Sequence, residues 1–453
     1  MYMYRDSSGI DDHNGAAALS TVALAPNLKH VKMLGCRPAS SPALYQARGR
    51  ALEEWKGFMP PIEIAQEKRV KTKLESLAFI CYNNSLDCTK LEKWDAIADF
   101  SKLTVLSCAI GDKELLKQVA LYRTFPHLQK LKLILEPKKQ DHLEDWQLSV
   151  EQFFASTNPL RSLALSGSLH GPLLDVIADR HGATLQELEL NPFADGYDMP
   201  GPPLRITAMV MEMLAVKCPR LAILTLTLRR SIGDRTETRC YEALGTLPHL
   251  RRLSLKLDCT NASAWDLKPE EDWGDFDKAT LTHPGSSPKI YNGHLKQAII
   301  NSALDEFLVR DIWTVINKTP PGGKDTLESL NIYTYGGSSF GNSHPGDLMD
   351  ICSHVSRSYC VTRMDRDKDG EEGSGILVVE LSKKEREQRD ESKKKHEQIM
   401  LEKWGHRGMN GSSWVVFNHL WPFREDEDWR IKWKSWPLQR SKPVGRKEDY
   451  SIR

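Results

Sequence analysis

The chain has almost no excess charge, with 62 Lys and Arg against 61 Asp and Glu in 453 residues. A formal charge of +1 gives no global field to attract a phosphate backbone or an anionic bilayer, so neither nucleic acid nor membrane is expected as a partner. It also lacks any run near the roughly 18 apolar residues that cross a bilayer. The early apolar stretch Ala16 to Ala25 follows Asp11 and Asp12 without a basic leader, and reads as a helix and not a signal peptide. The nine cysteines are odd in number and contain no Cys-x-x-Cys, which predicts a reducing compartment, cytoplasmic or nuclear, and no disulfide framework. No cysteine has a nucleophile frame, and no serine is assigned to a Gly-x-Ser-x-Gly elbow. The fourteen histidines are dispersed, and His127 and His249 recur at one pre-strand position. The reading assigns no catalytic residue, no cofactor and no metal.

What the chain has is a recurring Leu-x-x-Leu-x-Leu pattern, beginning at Leu74, Leu103, Leu128, Leu160, Leu185, Leu221, Leu250 and Leu327. The intervals are 29, 25, 32, 25, 36 and 29 residues before a final 77. Each interval holds one helix plus one strand. A strand with its crossing helix cannot bury an apolar side alone, whereas stacked copies share one core. The fold class predicted is α/β: a leucine-rich-repeat solenoid, a curved parallel sheet with helices on the convex face, over residues 1–364. Leu28 to Met33 is a weaker first copy.

Breakers precede the motifs. Pro126, Pro159, Pro219 and Pro248 stop the preceding helix and send the chain extended into the strand. Gly182 and the Gly322, Gly323 pair are given the same role through a positive φ at the helix end. Apolar residues three and four apart predict helices at Lys113 to Tyr122, Val150 to Ser156, Leu173 to Arg180, Ile206 to Lys217 and Cys240 to Leu244. The long gap reads as one repeat with a polar surface insertion at about 258–291. A single amphipathic run then extends from His294 to Asn317, with Ile299, Ala303, Phe307, Ile312 and Ile316 on its apolar stripe.

Residues 365–405 read as an acidic loop, a strand and a charged helix. A short helix, Asp347 to Val355, and the runs Tyr359 to Met364 and Ile376 to Leu381 frame the loop. In the helix, 383–403, Glu385 and Arg389, Arg386 and Asp390, and Glu391 and Lys395 stand four apart and favour a solvated element. Residues 406–453 form a tail, and six of the twelve tryptophans fall between 404 and 436. These are assigned to capping the open end or docking against the helices, with a partner-binding patch as the sharper alternative.

Four segments imitate known sites. Asp365 to Gly370 matches the first half of a calcium loop, but its twelfth position is Ile376 where a bidentate Glu is needed, so a solvated turn is preferred. The glycine-rich stretches at Gly336 to Gly341 and Thr319 to Thr326 lack the frame of a phosphate loop and read as connections. Cys352, His354 and Cys360 are too irregularly spaced for zinc.

In each motif the leucines point inward, so the residues between them face the concave sheet. In order these are Ser76, Ala78, Ile80; Val105, Ser107, Ala109; Lys130, Lys132, Ile134; Ser162, Ala164, Ser166; Glu187, Glu189, Asn191; Ile223, Thr225, Thr227; Arg252, Ser254, Lys256; and Ser329, Asn331, Tyr333. Alternating charge suits a protein partner better than a polyanion, which wants one continuous sign. Ordinary solvated strand residues would give the same pattern. The candidate partner-binding residues are Lys130, Lys132, Glu187, Glu189, Arg252, Lys256, Asn331 and Tyr333.

Degenerate leucine motifs, the helix Leu295 to Glu306 and the ending Phe417-Asn418-His419-Leu420-Trp421-Pro422, with Asp428-Trp429-Arg430 and Trp433 to Leu438, resemble the substrate-binding region of fungal F-box/leucine-rich-repeat proteins. The resemblance spans about residues 16 to 440 and implies a non-catalytic module that presents a target to a ubiquitin ligase. It implies a Skp-type adaptor only through an upstream F-box. Residues 1 to 30 carry no Leu-Pro-x-Glu opening, so the adaptor contact falls on no residue here. A repeat scaffold unconnected to ubiquitin is the alternative, and an enzyme the least favoured reading.

Overall fold

Residues such as Leu131, Leu133 and Leu135 alternate with Lys130, Lys132 and Ile134, and a strand must turn one such set inward and the other outward. The computed structural model describes residues 2–6, 19, 21–36, 71–80, 86–122, 125–138, 141–192, 204–260, 269–280, 290–318, 326–340, 346–364, 375–404, 409, 411–424 and 426–439. The chain divides into two compact units, Met1–Phe193 with Met199–Leu204, and Ala194–Asp198 with Arg205–Arg453.

Among the described residues the first unit holds seven strands: β1 (Tyr2–Asp6), β2 (His30–Cys36), β3 (Ser76–Ile80), β4 (Val105–Ile110), β5 (Lys130–Leu135), β6 (Ser162–Gly167) and β7 (Glu187–Pro192). They pair in sequence order, every neighbour parallel. Among the described residues, helices lie between successive strands from β3 to β7: α1 (Cys88–Asp95), α2 (Lys113–Tyr122), α3 (Leu143–Ser156) and α4 (Gly171–His181). The motif leucines Leu131, Leu133, Leu163, Leu165, Leu188 and Leu190 are buried to 2 % exposure or less. The helix residues Trp146, Val150, Phe153, Leu173, Leu174 and Ile177 are buried to 3 % exposure or less. Removing one such leucine side chain typically costs about 2–5 kcal/mol.

The second unit has β8 (Ile223–Arg229), β9 (Arg252–Asp258) and β10 (Ser329–Tyr335) in parallel. Strands β11 (Ser358–Arg363) and β12 (Ile376–Leu381) then continue the sheet in antiparallel fashion. Its helices are α5 (Ala208–Lys217), α6 (Arg235–Leu244), α7 (Asp275–Lys278), α8 (Asn292–Ser302), α9 (Glu306–Asn317), α10 (Gly346–Val355), α11 (Lys383–Trp404) and α12 (Ser412–Leu420).

Several expectations need correction. The run from His294 to Asn317 is two helices, because the chain leaves the helix at Ala303 and Asp305 caps a new one, its carboxylate accepting from Leu308 N at 2.9 Å. That break turns Phe307 outward to 63 % exposure. Gly182 ends α4 in the right-handed region, φ −52°, so no positive φ is used there. Gly322, Gly323, Thr319 and residues 365–374, including the calcium-like loop, lie outside the described residues. The described part of the insertion includes α7, which packs on α8 through the Lys296–Asp277 ion pair at 3.2 Å.

The tryptophans dock on helices. Trp414, Trp421, Trp429 and Trp433 join Leu295, Ile299, Leu348 and Ile351 in one buried cluster on α8 and α10. Trp414 meets Trp429 edge to face at 4.8 Å between centroids. Ser435 N donates to Asp305 at 2.9 Å, Asp305 N donates to the Ser435 hydroxyl at 2.7 Å, and that hydroxyl donates to Ala303 O at 3.0 Å. The charged helix α11 is not solvated all round. Asp390 is buried, reached by Arg386 at 3.2 Å and by His354.

Candidate protein-binding face

Each sheet has a helix-side face and an open face, and the candidate residues all stand on the open one. Lys130, Lys132, Arg252 and Asn331 are exposed, and Glu187, Glu189, Lys256 and Tyr333 are half-buried among strand neighbours. Two expected members of this face are covered instead: Ala109 at 1 % and Thr227 at 7 % exposure. The side chain of Ile80 lies outside the described residues.

In the first unit the strand register sets rows across the sheet. Lys130 stands level with Ser162 and Glu187, and Lys132 with Ala164 and Glu189. One strand of small residues therefore separates a basic from an acidic column, about 10 Å apart at the backbone. Ser162 donates to Glu187 at 2.8 Å, which fixes the carboxylate against the sheet. The result is a shallow valley with cationic and anionic walls.

In the second unit Arg252 and Lys256 lie on one strand, four residues apart. Lys256 is level with Tyr333 and Thr227, and Asn331 with Ser254. Tyr333 and Tyr335 follow on β10, their rings 6.4 Å apart. Burial, then Asp258, pushes the Tyr335 hydroxyl pKa up, so it remains a neutral donor. Beyond β10 the same face carries Ser358, Cys360 and Thr362 and, on β12, Leu377, Val379 and Leu381. Those last three are 52 %, 46 % and 43 % exposed. The sequence reading missed this apolar border. Its signal was the run Ile376-Leu377-Val378-Val379, apolar on both sides of a strand with only one side against helices.

Other singled-out residues do not converge. Cys352 is buried and accepts from Ser302 at 3.4 Å, His354 has both ring nitrogens within 3.2 Å of protein oxygens, and Cys360 faces the open sheet side. Among the described residues no three His, Cys, Asp or Glu side chains group as metal ligands do. Gly337-Ser338-Ser339-Phe340-Gly341 has the spacing of a nucleophile elbow, which the reading as a plain connection passed over. Ser339 sits in a turn, its N–H donating to Gly336 O at 2.9 Å, and no histidine among the described residues bonds its hydroxyl. The glycines there serve packing. Gly336 has φ +79°, and a Cβ on Gly337 would lie 1.8 Å from the Ser302 hydroxyl of α8.

A buried network unforeseen from sequence lies at the end of β8. The Glu237 carboxylate accepts from the Arg230 guanidinium, Tyr241 hydroxyl at 2.7 Å, Ser231 N at 2.8 Å and Gly233 N at 2.9 Å. It holds Ile232 and Gly233 in the left-handed region. Arg230 and Glu237 side chains are essentially inaccessible, so this pair organises a turn and offers nothing to a ligand.

Among the described residues no helix is long and apolar enough to cross a membrane. Comparison of the chain with protein-family models and with curated protein sequences gave no match.

Proposed function

We propose that the chain is a non-catalytic protein-recognition module of leucine-rich-repeat type, with its target on the open sheet face. The observation that carries this reading is the asymmetry of the sheets. Every motif leucine is buried, while Lys130, Lys132, Arg252 and Asn331 on the other face are exposed. A surface of interleaved cations, anions, small residues and tyrosines complements a folded protein or peptide of mixed charge. Presentation of that target to a ubiquitin ligase, through a Skp-type adaptor bound by an upstream F-box, follows only from the family resemblance. An intracellular site, cytoplasmic or nuclear, belongs to the same reading.

The test is charge reversal. The double variant Lys130→Glu with Arg252→Glu should lose at least tenfold in affinity for a protein captured by the wild-type chain from its own cells. Exposed sites of this kind leave folding stability within about 0.5 kcal/mol. Unchanged affinity in a folded double variant would remove the open face as the docking surface.

A further inference from the structure

Strand β12 closes the sheet of the second unit, with β11 on one side and, among the described residues, no strand on the other. Met364 N donates to Gly375 O at 3.0 Å, which sets the phase of the antiparallel ladder. Leu377, Val379 and Leu381 therefore exchange bonds with β11, and the N–H and C=O groups of Ile376, Val378 and Glu380 point away from it. Folded proteins guard such an edge with lysine, proline, a bulge or a covering segment. Among the described residues β12 carries no lysine, proline or bulge, and no strand covers it. Its one charge, Glu380, is neutralised from within by Arg386 and by Arg357 at 3.8 Å.

The edge also borders an open groove of about 510 Å³, in which Phe307, Tyr359, Val378 and Val379 stand among the charged residues Asp305, Glu306, Arg357, Glu380 and Lys383. Phe307 is the residue that the break before α9 leaves exposed. On the opposite face Leu377, Val379 and Leu381 are exposed as well, so a wholly apolar strip flanks the unpaired backbone on that side and a groove of mixed character, with Phe307 and Val378 as its apolar part, flanks it on the other. Unpaired alternate amides beside an exposed apolar strip call for one kind of occupant, another extended strand with apolar residues at alternate positions.

We infer that this occupant is β12 of a second copy, paired antiparallel about a two-fold axis at Val378. The phase above makes the register self-complementary. Val378 faces its own mate and Ile376 faces Glu380 of the partner copy, and these are the residues whose amides point outward, so about six hydrogen bonds form. In that register Leu377 lies opposite Val379 of the partner copy. Both pairs then merge into one apolar patch on the open face, while the partner's Val378 lies on the Phe307 side. A strand of unrelated sequence gains the hydrogen bonds but not this matched patch. The inference stands apart from the identity of any target.

The experiment is sedimentation of the full chain over a range of micromolar concentrations, alone and as two variants. Val378→Pro removes an outward N–H and spares the β11 ladder. Val379→Lys places a charge in the exposed seam. Circular dichroism and thermal melting establish that each variant is folded. Wild type should sediment at twice 51.4 kDa and both variants at 51.4 kDa. A wild-type chain that stays monomeric throughout overturns the inference. So does a dimer that persists in folded Val379→Lys, which would place the interface elsewhere.

Discussion

His354 Nδ1 lies 3.2 Å from a carboxylate oxygen of Asp390, joining α10 to the charged helix α11 where both residues are buried. The same carboxylate receives Arg386, which also grips Glu380 on β12. Farther along α11, Glu397 pairs with Arg430, whose carbonyl oxygen meets His354 Nε2 at 3.2 Å. A helix with 22 residues and little apolar character is thus attached through buried polar joints, and such joints cost most when only one partner is removed.

Asp390→Ala leaves Arg386 and His354 facing an empty site. The expected loss is about 3 kcal/mol of stability in the second unit. Amide exchange should quicken through Lys383–Trp404, measured by mass spectrometry, while Lys113–Tyr122 in the other unit is unaffected. Unaltered exchange in α11 would mean that the helix does not depend on the Asp390 joint.

His181 makes an acid-sensitive joint in the first unit. Its Nδ1 accepts from Leu160 N at 3.2 Å, so protonation there must break that bond, and burial pushes the pKa down to about 4. The native state therefore binds the proton less well than the unfolded chain, whose histidine titrates near 6.5. Stability from the neutral ring is complete above about pH 6.5 and drains away as pH falls toward 4, by on the order of 3 kcal/mol. Urea unfolding at pH 7.5 and 4.5 measures this. His181→Asn, which keeps an acceptor without a titrating ring, should flatten the dependence by close to one proton, and an unchanged slope would assign it to other groups.

Glu237→Ala removes the carboxylate that pairs with a fully buried Arg230 and, with it, the acceptor of three further hydrogen bonds. A loss of about 3–5 kcal/mol is expected in thermal or denaturant unfolding. Replacing both charges together, Arg230→Met with Glu237→Leu, should recover part of it, since the stranded guanidinium is then gone. If the double variant is no better than the single one, the bonds to Ser231 and Gly233 are the greater contribution.

Much of the strand layout is legible because alternation is a local property. Lys130-Leu131-Lys132-Leu133 names its own faces, and Lys113–Tyr122 is delimited by its apolar spacing. Helix α1 escaped because only Leu91 and Trp94 of its eight residues are buried. The break at Ala303 escaped because the stripe runs on past it, although Asp305 before Glu306 carried a capping signal. The Glu237 network had no local signal at all. It depends on a turn at Ile232 and Gly233 that is itself held by Asn301, which accepts from Ile232 N at 2.7 Å across 69 residues. For the open face, strand parity tells on which side of the sheet a residue stands, but Ala109 and Thr227 are covered there all the same, because their exposure depends on neighbours distant in sequence.

The reciprocal bonds between Asp305 and Ser435 close a loop of 130 residues. In the first unit each strand leans on its sequence neighbour, so opening can begin at one end and advance like a zip, one strand at a time. The second unit is laced across its own length. Its middle helices are released only when the lace is undone, and refolding must wait for a distant encounter instead of a succession of near ones.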